Sequence, residues 1–369
     1  MKILLLSGAS SIHTIRWANG LVAAGCDVLL VTQQPLCQEI DARVQLRKLP
    51  MLGAAGYYLH PWKLRQIVKQ FQPDIVNAHY ASGYGTLSRL AGCHPVLLNV
   101  WGSDVYDFPQ KSGMHKKIII KNLRAADAVA STSRCMLEET RKYLPPAAKT
   151  HVIPFGVDTQ NFEVGRVRDN GKNSEIVIGT VKKLEHKYGI DTLLHAFKIL
   201  FDWFTEQRES GSLPNLILRI VGYGRDEAKL KDLAAELGIR DHVVFVGKVA
   251  NEAVPGELAK MDIFAALSRL NSESFGVSVV EAGAAGLPSV VSDVDGFKEV
   301  VIHKKTGIIV PREDPRATAE ALKELITSPE LMNTLGLDAE EHVKKRYEWQ
   351  RNVEEMIAIY QDTIQAYAN

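Results

Sequence analysis

At 369 residues the chain is too long for one ordinary core, and two domains are expected. Apolar residues make up 46% and charged residues 24%, the balance of a globular protein. No stretch has the apolar length of a membrane span or signal peptide, so a cytoplasmic protein is expected. The net charge of +1 hides an asymmetry. Met1 to Thr150 holds 18 Lys and Arg against 9 Asp and Glu, and the remainder 26 against 34. A basic first half points to an anionic contact, either a membrane surface or a phosphorylated substrate. Nucleic acid is not expected, because the basic residues are not interleaved with stacking aromatics. Cys26, Cys37, Cys93 and Cys135 show no metal-binding or redox spacing and read as reduced thiols.

In chain order, Lys2 to Ser7 is a short apolar run, a helical pattern follows, and Asp27 to Thr32 is a second run. This β-loop-α-β opening continues through Asp74 to His79, Pro95 to Val100, Ala128 to Ser131 and His151 to Pro154. Nearly continuous apolar strands predict a parallel sheet covered on both faces. Ligands in such sheets bind beyond the carboxyl ends of the strands, which singles out Gly8 to Arg16, His79 to Gly85 and Trp101 to Tyr106. The segments Tyr57 to Arg65 and Lys111 to Arg124 are at once basic and apolar. They read either as helices covering the sheet or as docking points for anionic lipid headgroups.

Periodicity lapses over Glu163 to Asn173, where the domain boundary is expected. A second alternation has strands near Ile176 to Val181, Leu216 to Val221, His242 to Val246, Asp262 to Ala266, Ser289 to Ser292 and Ile308 to Val310. The domains are therefore set at 1–160 and 161–347, with a last helix, 348–369, packing back on the first. Between Asn271 and Pro288, a loop with Glu273 leads into an apolar helix that carries Glu281 and is stopped by Gly286-Leu287-Pro288. The N–H groups of such a buried helix start form an anion site. Lys183 and Lys187, after the strand ending at Val181, are candidates for clamping a diphosphate. Gly222-Tyr223-Gly224 lacks the third glycine of a dinucleotide fingerprint and reads as a place of close backbone approach. Asp293-Val294-Asp295 has no third hard ligand nearby, and no metal is expected.

These residues resemble the family 4 glycosyltransferases of the GT-B fold over essentially the whole chain. The likeness rests on H-T-I-R-W-A-N-G-L, P-D-I-V-N-A-H-Y, I-P-F-G-V-D-T-Q-N-F and the run from Ser272 through E-A-G-A-A-G-L-P to T-G-I-I-V-P. The resemblance implies two Rossmann-like α/β domains facing each other across a cleft, and retaining transfer from a nucleotide sugar, UDP-linked, with no cofactor. The acceptor is expected to be a glycan or lipid-linked glycan of the cell envelope, reached at the inner face of the membrane. Transfer to malate and a nucleotide-sugar epimerase are the alternatives. By resemblance Glu273 contacts the donor sugar, Ser274, Phe275, Gly276 and Val277 present N–H groups to it and to the diphosphate, and Glu281 holds the ribose. Lys183 takes a diphosphate-binding arginine position, joined by Lys187, while Lys248 and Val249 lie near the base. Gly8 and Gly222 are counted with the donor contacts. The family often has His-Gly-x-Asp where this chain has Trp101-Gly102-Ser103-Asp104. His79, His13 and Asp104 are therefore read as substitutes, and His13, Arg16, Tyr80 and Trp101 as acceptor contacts.

Overall fold

The computed structural model describes residues 1–163, 175–208 and 215–369. Apart from Glu163, the expected boundary stretch lies outside the described residues. The chain divides into two compact units, Met1–Gly156 with Trp349–Asn369, and Val157–Glu348.

The first unit begins with β1 (Lys2–Leu6), α1 (Ile12–Ala23), β2 (Asp27–Thr32), β3 (Gln45–Lys48), α2 (Gly53–Leu59), α3 (Pro61–Phe71) and β4 (Ile75–His79). It continues with α4 (Gly83–Ala91), β5 (Val96–Val100), α5 (Ser103–Tyr106), α6 (Gly113–Arg124), β6 (Ala128–Ser131), α7 (Arg134–Arg141) and β7 (Thr150–Val152). The strands form one sheet in the order β3-β2-β1-β4-β5-β6-β7, every pairing parallel. Chain direction across the sheet reverses between β1 and β4, which is the switch point where such sheets bind ligands. Alternate strand residues feed two cores: Leu4, Leu6, Val76 and Leu98 pack against α3, α4 and α6, while Ile3, Leu5, Ile75 and Leu97 pack against α1. The edge strand β3, Gln-Leu-Arg-Lys, was not expected. It is largely exposed and has no apolar run, so only its pairing with β2 reveals it.

The second unit holds β8 (Glu175–Val181), α8 (Ile190–Arg208), β9 (Asn215–Val221), α9 (Glu227–Glu236), β10 (Val243–Gly247), α10 (Val254–Leu258) and β11 (Ile263–Ala266). After these come α11 (Val277–Ala284), β12 (Ser289–Ser292), α12 (Asp295–Val300), β13 (Gly307–Val310), α13 (Pro315–Thr327) and α14 (Pro329–Arg346). Its parallel sheet runs β10-β9-β8-β11-β12-β13, so the switch point falls between β8 and β11. One core cluster joins Ile178, Leu218 and Ile263 of the strands to Phe197 of α8 and Leu322 of α13.

The last helix, α15 (Trp349–Ala368), belongs to the first unit. Val353, Met356 and Tyr360 recur at helical spacing and enter the core beneath α1. Gly20 of α1 leaves room for the Trp349 ring and Val353, to which a Cβ there would approach within 2.9 Å.

Candidate functional site

The loops after β8 and β11 flank the switch point of the second sheet, and each supplies one half of an ion pair. Lys182 Nζ lies 3.0 Å from Glu273 Oε2, with both side chains mostly withdrawn from solvent. The ammonium also faces the rings of Tyr188 at 5.2 Å and Phe297 at 5.5 Å. In so shielded a place the attraction between the two charges is screened less than on an open surface. Burial, and next the Glu273 carboxylate, push the Tyr188 phenol up to about 12, so it stays a neutral donor.

Close backbone packing fixes both loops. Lys182 N–H continues the ladder to Val221 O at 3.0 Å, and Leu184 N–H bonds Tyr223 O at 3.0 Å. Gly222 has φ 140°, and a Cβ there would stand 1.8 Å from Lys182 O, so only glycine allows the approach. From below, Arg269 binds Asp191 at 2.7 Å, Glu313 at 2.8 Å and the His186 carbonyl at 2.6 Å. Arg312 donates to Asp293 at 2.9 Å and to Asn271 Oδ1 at 3.2 Å, and Asn271 donates to Asp295 at 2.7 Å. The Asp293-Val294-Asp295 carboxylates are thus tied to the loop that carries Glu273. Among the described residues no three His, Cys, Asp or Glu are grouped to hold a metal ion.

Gly276, whose φ of 88° turns the chain into the helix, stands just before α11, and no side chain among the described residues caps it. Its first N–H groups have no intrahelical acceptor, and the helix dipole adds positive potential there. Ser274 and Phe275 are buried, with the Phe275 ring 5.6 Å from that of Tyr347, so only their backbone is open to a ligand role. Val277 and Glu281 are half-buried on the helix itself. Lys248 is exposed, its ammonium 5.3 Å from the Tyr223 ring, and Val249 is half-buried beside it.

The three lysines of this loop have different surroundings. Lys183 is exposed, Lys187 lies over the Tyr188 ring at 4.7 Å, and the lysine facing Glu273 is Lys182. Period-two counting from buried Thr180 would have found it, because Lys182 continues that face of the extended backbone. Gly222 acts by letting the Lys182 loop approach, which its close packing explains without any ligand contact.

In the first unit, His79 is fully buried. Its Nδ1 lies 3.1 Å from Ser7 Oγ and its Nε2 2.8 Å from Asn77 Oδ1. Ser7 Oγ continues to Thr14 at 2.7 Å, and Asn77 Oδ1 accepts from Tyr360 OH at 2.8 Å, a buried polar network that the sequence did not announce. Burial, and then neighbouring His13, lower His79 to about 3. With both nitrogens engaged inside the core, His79 ties the ends of β1 and β4 together. Asp104 is also buried, and it accepts N–H bonds from Ala81 at 2.8 Å, Gly102 at 2.9 Å and Trp101 at 3.1 Å. It clips the loop after β4 to the loop after β5.

That clip presents an aromatic group. Trp101 has ring centroids 5.6 Å from Tyr80, 5.9 Å from His13 and 5.6 Å from Phe155, and its buried Nε1 has no hydrogen-bond acceptor among the described residues. Tyr80 holds φ 75°, a strained value for a bulky residue, and its hydroxyl lies 3.2 Å from Ser103 Oγ. His13 stacks on Phe155 at 4.1 Å, and burial followed by Arg16 lowers it to about 4. Arg16 itself lies 4.6 Å over the Trp349 ring, and Gly8 sits in the β1–α1 turn, where its carbonyl accepts from Ser11 N–H.

Both units match known families. The model described as "Glycosyl transferases group 1" covers residues 166–342, and "Glycosyl transferase 4-like" covers 2–133. The chain is 25% identical to D-inositol 3-phosphate glycosyltransferase of Jonesia denitrificans, over 97% of this chain and 92% of that one. It is 28% identical to the GDP-mannose-dependent alpha-(1-6)-phosphatidylinositol monomannoside mannosyltransferase of Mycobacterium tuberculosis, over 71% and 68%. It is 23% identical to N-acetyl-alpha-D-glucosaminyl L-malate synthase of Bacillus anthracis, over 82% and 78%. Among solved structures, sucrose-phosphate synthase from Thermosynechococcus elongatus superposes with a TM-score of 0.82 at 21% identity, covering 99% of this chain and all of that one, 100%. Anabaena HepE in complex with UDP gives 0.79 at 17%, covering 98% and 100%. The chain belongs to the family 4-like glycosyltransferases and has the GT-B fold.

Proposed function

We propose that the chain moves a hexose or N-acetylhexosamine from a UDP-linked sugar to a glycan or lipid-linked glycan of the cell envelope, retaining anomeric configuration and using no metal ion. The observation that carries this reading is the shielded Lys182–Glu273 pair at the switch point of the second sheet, beside the uncapped start of α11. Glu273 accepts from the donor sugar's hydroxyls. As the anomeric carbon–oxygen bond breaks, its electron pair passes to the leaving diphosphate, where Lys182, with Lys187, and the α11 N–H groups meet the charge. Glu281 holds the ribose, and Lys248 and Val249 flank the base. The acceptor hydroxyl attacks the face from which the diphosphate leaves, and its proton goes to a leaving phosphate oxygen, so no strong protein base is required. Acceptor recognition falls to Tyr80, Ser103 and Trp101, with His13 as a neutral partner.

Support for uridine comes from HepE, solved with UDP, whereas the mycobacterial relative is named for GDP-mannose. Transfer to a small hydroxy acid is the second reading, favoured by the malate synthase relative. Incubating the protein with a panel of nucleotide sugars, with and without glycan fractions or malate, separates these. Product formed only with a glycan acceptor, with retained configuration by NMR, is the expected result. Isomerised donor with no acceptor product would instead identify an epimerase.

A further inference from the structure

α2, α3, α4 and α6 together carry eight Lys and Arg and no Asp or Glu. α3, α4 and α6 contribute to one core on one face of the first sheet, and α2 packs on α4. Within the first unit, further carboxylates on that face are Asp104, buried, and Asp107, exposed, at α5, and those of α7, where Glu138 is paired with Arg141 and Glu139 with Lys142. The charge is therefore carried by one layer of helices rather than spread over the unit.

The same layer exposes large apolar side chains. Met51, Leu52, Tyr58, Leu59 and Trp62, around α2 and the start of α3, are each about half exposed or more, and Met114 is 66% exposed at the start of α6. Lys63 folds over the Trp62 ring at 5.4 Å. Lys69, Lys116, Lys117 and Lys121 are exposed, and none has an ion-pair partner among the described residues. A patch that is apolar at its tips and uncompensated in positive charge matches the boundary of an anionic bilayer, where acyl chains take the apolar side chains and headgroups meet the lysines. A two-fold contact with a second copy of this chain does not match it, since like charge would face like charge.

We propose that this helical layer docks the protein on an anionic lipid surface, with Leu59 and Trp62 inserted and Lys116, Lys117 and Lys121 against the headgroups. The proposal deepens the reading of a lipid-linked acceptor, yet its test needs no nucleotide sugar, so either can fail alone. The full chain is sedimented with vesicles of phosphatidylcholine, alone or mixed with phosphatidylglycerol. Binding to the mixed vesicles is expected to exceed that to neutral ones by about tenfold or more, and to fall as salt rises. Changing Lys116, Lys117 and Lys121 together to Ser should remove that preference, and Leu59→Ser with Trp62→Ser should weaken binding at every salt concentration. All five side chains are on the surface, and unchanged circular dichroism spectra check that the variants are folded. Equal sedimentation with neutral and anionic vesicles would overturn the proposal. So would unaltered binding by the triple variant, or light scattering that shows a dimer which the Leu59→Ser, Trp62→Ser variant no longer forms.

Discussion

Lys182 and Lys183 are neighbours in sequence with different surroundings: one is held against Glu273 and two aromatic rings, the other is exposed to solvent. If Lys182 meets the leaving phosphate, Lys182→Ala should lower kcat by about 100-fold or more, the range for losing one preplaced group that meets developing charge. Lys183→Ala should leave it within about twofold, because exposed charges interact weakly through water. Steady-state rates on both variants check this. The sequence reading named two lysines of the loop after β8, Lys183 and Lys187, but which lysine there faces inward depends on how far β8 continues as extended backbone, and the apolar pattern ends at Val181. The histidines give a second prediction. His13 and His79 are lowered to about 4 and about 3, so both are neutral in the fold while the unfolded chain protonates below about 6.5. Their contribution to stability is complete above that pH and is lost progressively as pH falls toward the lowered values, by up to about 1.4 kcal/mol per pH unit for each imidazole. Urea midpoints between pH 7 and pH 4 should fall accordingly, and His79→Gln, which cannot take the proton, should give a shallower slope.

Elements put those residues in place by approaching one another closely. Gly222 lets the end of β9 touch the Lys182 backbone, and at its φ of 140° a side chain is strained whatever the space. Gly222→Ala is therefore expected to displace the lysine loop, weakening UDP binding by about tenfold or more, since a shift of about 1 Å is enough to undo preplaced contacts. Calorimetric titration of the folded variant measures it. Most elements could be read from sequence because strands covered on both faces are continuous apolar runs, and the helices between them carry their own period. β3 was illegible for the opposite reason: an exposed edge strand has no apolar face to display. The network of Ser7, Thr14, Asn77, His79 and Tyr360 was also hidden. Polar residues inside apolar strands signal burial with partners, but they do not say which partners.

Across the whole molecule, two strand–helix alternations became two parallel sheets, each with its switch point where direction reverses. The sites follow from topology, with Lys182 and Glu273 on the loops flanking one switch point and Tyr80 beside the other. What the sequence could not give was the division of labour among the buried candidates. His79 and Asp104 have the chemistry of catalysis and the surroundings of scaffold, a difference set by contacts among distant segments. The first half's excess of positive charge was legible as a count, but its concentration on one helical layer required the sheet order. In the proposed function Glu273 acts on the donor sugar while its neighbours hold the diphosphate. One comparison tests it most directly: UDP affinity and kcat measured on the same preparation of Glu273→Gln. UDP binding within about threefold of the natural protein and kcat lower by about 100-fold or more are expected. A variant that transfers sugar at the natural rate would contradict it.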